Sequence, residues 1–212
     1  MTVIERLASS LSRSDEEPNI ELAQYLCESG NKVDIDELVR NLNSSSKAIR
    51  SDCIKVLYEI GYQQPQFIEP YVGEFISLLE SKDNRMVWGA MIALGTIAAR
   101  QADEIYSKID TVLKTIYTGS VITVDNGISV LAGVASVNET YARRIIPYLL
   151  EHMRTCRVKE VGQHAERCLP AVNAENIQEF RAVLYTRLDD LRPAQKRRVN
   201  KIIKQLEKSA TN

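Results

Sequence analysis

The stretch Ile49-Arg50-Ser51-Asp52-Cys53-Ile54-Lys55-Val56-Leu57-Tyr58-Glu59-Ile60 decides the fold, because its pattern returns three times. Its apolar stripe is Ile49, Cys53, Val56, Leu57 and Ile60. After a step of 37 the stripe becomes Met86, Ala90, Ala93, Leu94 and Ile97, and after another 37 it becomes Thr123, Gly127, Val130, Leu131 and Val134. A step of 38 then gives Val161, Ala165, Cys168, Leu169 and Val172. Within each copy the spacing marks one face of a helix. A period in the thirties means stacked supersecondary units, each burying its apolar face against its neighbours. The fold class is therefore all-α, an α-solenoid of about six helical hairpins. The equivalent residues Cys53, Ala90, Gly127 and Ala165 are all small, which lets facing helices approach closely.

Each repeat reads as two antiparallel helices. In the third, Pro70 opens a helix carrying Val72, Phe75, Ile76 and Leu79 on one face. The polar run Ser81-Lys82-Asp83-Asn84 ends it, and the Met86 stripe follows. The second repeat places Ile35, Leu38, Val39 and Leu42 before Asn43-Ser44-Ser45-Ser46 and the Ile49 stripe. Toward the ends the pattern drifts, as capping repeats do. Phe180, Val183, Leu184 and Leu188 precede Val199, Ile202, Ile203 and Leu206 at one end, and Val3, Ile4, Leu7 and Leu11 make a short first helix at the other. The expected organisation is a single repeat domain over 1–212, with repeats at roughly 1–30, 31–65, 66–102, 103–138, 139–174 and 175–208. Val121-Ile122-Thr123-Val124 is β-prone, but its place in the repeat predicts helix.

The pattern resembles the HEAT repeat, with its proline in the first helix, polar turn, Val-Arg pair and then small and leucine positions. The second repeat carries the pair as Ile49-Arg50 before Cys53, Val56 and Leu57. The third carries Pro70, Leu78-Leu79, Asp83, Met86, Ala90, Ala93 and Leu94-Gly95, and the fifth carries Pro147, Leu149-Leu150, Val161, Ala165 and Leu169. The arginine position is Val87, Val124 and Gly162 in the third to fifth repeats, with Arg85 displaced by two. The resemblance implies an armadillo-like, curved right-handed stack whose second helices line a concave inner surface. It also implies a scaffold for other macromolecules.

Composition narrows the function classes. The net charge of −1 gives no overall attraction to nucleic acid or acidic lipid. It conceals a gradient: residues 1–100 hold 10 Lys/Arg and 15 Asp/Glu, and residues 101–212 hold 17 and 13. The longest run without charge, Met86 to Ala99, is shorter than the roughly 20 residues that a membrane-spanning helix needs. No signal-peptide pattern opens the chain. The four cysteines show no Cys-x-x-Cys spacing, and two of them stand at small apolar repeat positions, so a reducing, cytoplasmic location is expected.

No catalytic residue, metal ligand set or cofactor site emerges from the spacing. The two histidines, His152 and His164, form no His-Glu or His-x-x-x-His motif. That absence removes the HEAT-like metal hydroxylases, which use repeated His-Glu pairs. Ile92 stands one turn after Trp88, where the HEAT-like alkylpurine glycosylases would need an acid. The leading expectation is a non-enzymatic scaffold or adaptor that binds a protein partner through the inner surface. Its contact residues would be Arg50, Arg85, Trp88, Met91, Lys159 and His164, on second helices or at their starts. Trp88 and its charge-free helix read either as buried on both sides or as an apolar docking patch. The alternatives are nucleic-acid association through a basic patch of Lys196, Arg197, Arg198 and Lys201 on the last helix, or a HEAT-like regulatory or lyase subunit. Oligomeric state leaves no mark in the sequence.

Overall fold

The computed structural model describes residues 2–209, so residue 1 and residues 210–212 of the expected 1–212 domain lie outside the described residues. A 3-10 turn at Val3–Arg6 is followed by α1 (Glu17–Ser29), α2 (Lys32–Arg40), α3 (Lys47–Gln63), α4 (Val72–Leu78), α5 (Asn84–Ile97) and α6 (Ala102–Ser107). Then come α7 (Ile109–Thr118), α8 (Val121–Ala135), α9 (Glu139–Thr155), α10 (Val161–Cys168), α11 (Ile177–Arg187) and α12 (Pro193–Ser209). There is no strand among the described residues, and the β-prone Val121–Val124 opens α8.

The helices start where side-chain acceptors sit before an apolar run. Asn31 caps α2 by accepting from the Val33 amide, and Ser46 caps α3 by accepting from Ile49. Asp83 caps α5 through the Arg85 amide, and Asn138 caps α9 through Tyr141. Gly30 closes α1 at φ +63°, a left-handed position that suits glycine.

The chain divides into two compact units, Met1–Val130 and Leu131–Asn212. In the first, α2 packs on α3 and α4 on α5, while the second helices α1, α3 and α5 lie side by side. In the second unit the arrangement is the same in kind: α9 neighbours α11, α10 neighbours α12, and the hairpins α9–α10 and α11–α12 close on themselves. The repeated stripe is the core. Cys53, Val56, Leu57 and Ile60, and likewise Ala90, Ala93, Leu94 and Ile97, are fully buried. Gly89 shows how closely α3 and α5 approach: a Cβ there would meet Ile54 Cγ1 at 2.7 Å.

Two sequence expectations need correction. The expected first helix over Val3–Leu11 is only the 3-10 turn, because a hydrogen-bond network holds the segment in its place. The Asn19 side chain accepts from the Ala8 amide at 3.0 Å and donates to Asp52 at 2.8 Å, while Ser9 N–H donates to Asp52 at 2.8 Å. In the fourth repeat the first helix is split into α6 and α7, with Lys108 at φ −117°, ψ 23° breaking the helical geometry between them.

Candidate functional site

On α3 the residues opposite the buried stripe are Lys55, Tyr58, Glu59 and Tyr62, which the 3.6-residue period gathers on one face. On α5, Arg85 and Trp88 stand one turn apart beside them. Because α3 and α5 approach so closely, the Trp88 and Tyr58 rings come within 6.3 Å between centroids, and Tyr58 meets Tyr62 edge-on at 6.2 Å. The Arg85 guanidinium lies 4.1 Å above the Trp88 ring, and the Lys55 ammonium 5.0 Å from the Tyr58 ring. Tyr58 and Lys55 are buried beneath their neighbours, Trp88 and Arg85 are half-buried and Tyr62 is exposed, so the row opens to solvent at Tyr62 and along the Arg85–Trp88 stack.

Glu16, just before α1, clamps both cations. Its carboxylate accepts from Arg85 at 2.7 Å and lies 3.1 Å from Lys55, which also donates to Glu59 at 2.7 Å. Burial works against the charge of Glu16, but the bonds from Arg85 and Lys55 outweigh it and hold the carboxyl below its usual range. Burial likewise pulls the Lys55 ammonium down, while Glu59 and Glu16 carry it above its ordinary value. The result is a row of aromatic rings edged by cations whose orientations are fixed by acids.

The other expected contact residues stand elsewhere. Arg50 donates to the carbonyl oxygens of Ser44 and Ser45 at 2.7 and 3.2 Å and pairs with Asp83 at 3.4 Å. It ties the turn of one repeat to the cap of the next, so its donors are used within the fold. Met91 is fully buried, which follows from the close neighbours of α5 on several sides, and it offers no surface. Lys159 is exposed in the turn before α10. His164, read from sequence as facing the inner surface, is also fully buried. Thus Arg85 and Trp88 come together in one place, and Tyr58, Tyr62, Lys55, Glu59 and Glu16 join them. The tyrosines were legible in principle as a second stripe on the α3 helix, offset from the apolar one.

Of the expected basic patch, Arg198 is paired with Glu166 (Nε–Oε1 2.8 Å), and Lys196 lies 3.8 Å from Asp189. Arg197 and Lys201 are exposed and share a face of α12 with Lys204 and Lys208. These four make no ion pair among the described residues.

A second cluster went unnoticed in the sequence. His152 near the end of α9, Cys156 one turn later and His164 on α10 bring their ligand atoms within 4.8 Å of one another. The facing ring nitrogens, His152 Nε2 and His164 Nδ1, are 2.9 Å apart. The His-x-x-x-Cys spacing that puts two of these side chains on one helical face was the available signal.

No family model matches the sequence, and no curated protein matches it. The fold, by contrast, has many counterparts. A designed armadillo repeat protein in complex with the peptide (KR)4 superposes with a TM-score of 0.66 at 16% identity, covering 90% of this chain and 86% of the other. This chain has an armadillo/HEAT-like α-solenoid fold. An engineered protein matches this solenoid over 98% of both chains, with a TM-score of 0.61 and 19% identity. The karyopherin Kap121p, bound to the SUMO protease Ulp1p, matches over 94% of this chain and 22% of its own length, with a TM-score of 0.65 and 14% identity. No helix among the described residues is long and apolar enough to cross a membrane.

Proposed function

We propose that this chain is a non-enzymatic, cytoplasmic scaffold that binds a segment of another protein on the face of α3 and α5 built from Tyr62, Tyr58, Trp88 and Arg85. The observation that carries the reading is the Arg85 guanidinium stacked on a half-buried Trp88 and oriented by Glu16. Tryptophan, tyrosine and arginine dominate the binding energy of protein interfaces, because each offers large contact area with a polar handle. A rigid row of them reduces the entropy lost on docking. Solenoids of this fold in the structural comparison hold a (KR)4 peptide in one case and the protease Ulp1p in another. A reducing compartment accords with four cysteines that are free.

The test is a peptide-display selection against the intact chain, followed by titration of the selected peptides. Trp88 is the single tryptophan, so its emission reports occupancy directly. Trp88→Ala (followed by anisotropy of labelled peptide) and Arg85→Glu should each weaken binding at least tenfold, about 1.4 kcal/mol. Lys201→Glu should change nothing. Selected peptides that leave Trp88 emission unaltered and bind both variants like the parent would overturn the assignment.

A second reading has one observation behind it. Arg197, Lys201, Lys204 and Lys208 repeat along one exposed face of α12, which suits an acidic polymer such as RNA or DNA. It requires binding that weakens steeply with salt and that Arg197→Glu with Lys201→Glu abolishes.

A further inference from the structure

We propose that His152, Cys156 and His164 form a binding site for one zinc ion, joining the end of α9 to α10. The site belongs to the second compact unit and is independent of the α3–α5 face. Three features of the geometry support it. The ligand atoms already converge within 4.8 Å, from two helices that pack as a hairpin. The two ring nitrogens that face each other are the ones a metal would take, and the ring centroids are 4.9 Å apart at a 43° tilt. Zinc bonds of about 2.0 Å to nitrogen and about 2.3 Å to sulfur, at tetrahedral angles, call for N···N near 3.3 Å and N···S near 3.5 Å. The rings need to part by about 0.4 Å from their 2.9 Å hydrogen bond and turn toward a common point, and the sulfur needs to close by at most about 1.3 Å from the 4.8 Å spread, which a side-chain rotation at the end of α9 supplies.

The donor set fits the ion. Two imidazoles and a thiolate suit zinc, and carboxylate-seeking magnesium or calcium would not choose them. His164 is fully buried and Cys156 nearly so, while His152 is half-buried, so one side of the site is open to a water as fourth ligand. Arg187 braces the turn that carries the thiol from outside the ligand shell, with its Nη1 3.9 Å from Cys156 Sγ. The guanidinium is held there by the carbonyl oxygens of Met153, Arg154 and Cys156 and by the Asp190 carboxylate. Binding has a simple proton balance. The thiol proton leaves to solvent as the Zn–S bond forms. The hydrogen shared between the two rings moves to the outer nitrogen of the ring that carried it, freeing both inner nitrogens.

Cobalt(II) supplied to the intact metal-free chain is the direct probe. One equivalent should bind with the intense visible bands of a tetrahedral ion and a thiolate-to-cobalt charge-transfer band, and zinc should displace it. Cys156→Ser should remove the charge-transfer band, and both Cys156→Ser and His152→Gln should weaken zinc binding at least about a hundredfold against a chromogenic chelator. His152 is half-buried, so His152→Gln spares the core, and circular dichroism checks that it folds. Cys27→Ser serves as the thiol control and should bind like the parent. Zinc at a hundredfold excess over its dissociation constant should raise the melting temperature by about 5–10 °C. Absence of the charge-transfer band in the parent, or equal zinc affinity in parent and both ligand variants, would overturn the proposal.

Discussion

Replacing Gly127 with alanine tests the packing rule on which the whole architecture rests. A Cβ at this position would lie 2.3 Å from Ile116 Cγ1 and 2.6 Å from its Cδ1. Carbon atoms pack at about 3.5–4.0 Å, so one partner must retreat by more than about 1 Å. Ile116 is only 3% exposed, so it must give way within the core rather than toward solvent. Overpacking of this severity costs about 2–3 kcal/mol, and the better helix propensity of alanine returns about 1 kcal/mol. The net loss is about 1–2 kcal/mol, or a fall in melting temperature of about 2–8 °C for a chain of this length. Gly73→Ala is the matched control, because nothing lies within 4 Å of its Cβ position. It should gain about 0.5–1 kcal/mol from the helix term alone. Thermal and urea melts followed by circular dichroism measure both. A double-mutant cycle makes the test specific: in an Ile116→Ala background the Gly127→Ala penalty should vanish. A Gly127→Ala variant that melts at or above the parent, or a cycle additive within about 0.5 kcal/mol, would refute the reasoning.

Three further outcomes are expected. The Glu16 carboxyl is held below its usual range, so its contribution is present above the unfolded value near 4.3 and is lost as the pH falls through the lower folded value. An acid titration of Trp88 emission should therefore show a transition below the ordinary glutamate range as Arg85 is released, and Glu16→Gln should shift the emission at neutral pH and remove that transition. Burial raises all four thiols, pushing Cys53 and Cys168 up to about 12, but only Cys27 is half-exposed, so in the native chain a thiol reagent should reach Cys27 first and the other three only after denaturation. Arg187→Lys should destabilise the second compact unit by about 1–3 kcal/mol in urea melts, because a lysine cannot satisfy the three carbonyl oxygens that the guanidinium fork serves.

The candidate sites were legible in part. Arg85 and Trp88 stood out because an isolated tryptophan off the apolar stripe and a cation one turn before it are visible in a single helix. Their partners were not, since Tyr58 and Tyr62 come from α3 and Glu16 from the segment before α1, and only packing brings three separated segments together. Met91 and His164 were misplaced for the converse reason. A position beside the stripe faces outward on an isolated helix, but both are fully buried where neighbouring helices close over that side as well.

The sequence by itself determined the all-α repeat architecture, its small-residue contacts and the helical state of Val121–Val124. These follow from a period of 37 or 38 residues and from side-chain volume, both of which are properties of the chain read locally. What the tertiary structure alone decided is which polar groups meet. Arg50 was drawn into bracing a turn and Asp83, Arg198 was drawn to Glu166, and His152, Cys156 and His164 were gathered into one cluster. Hydrogen bonds and ion pairs depend on distances of a few ångströms between segments far apart in sequence, and such distances do not exist until the helices have stacked.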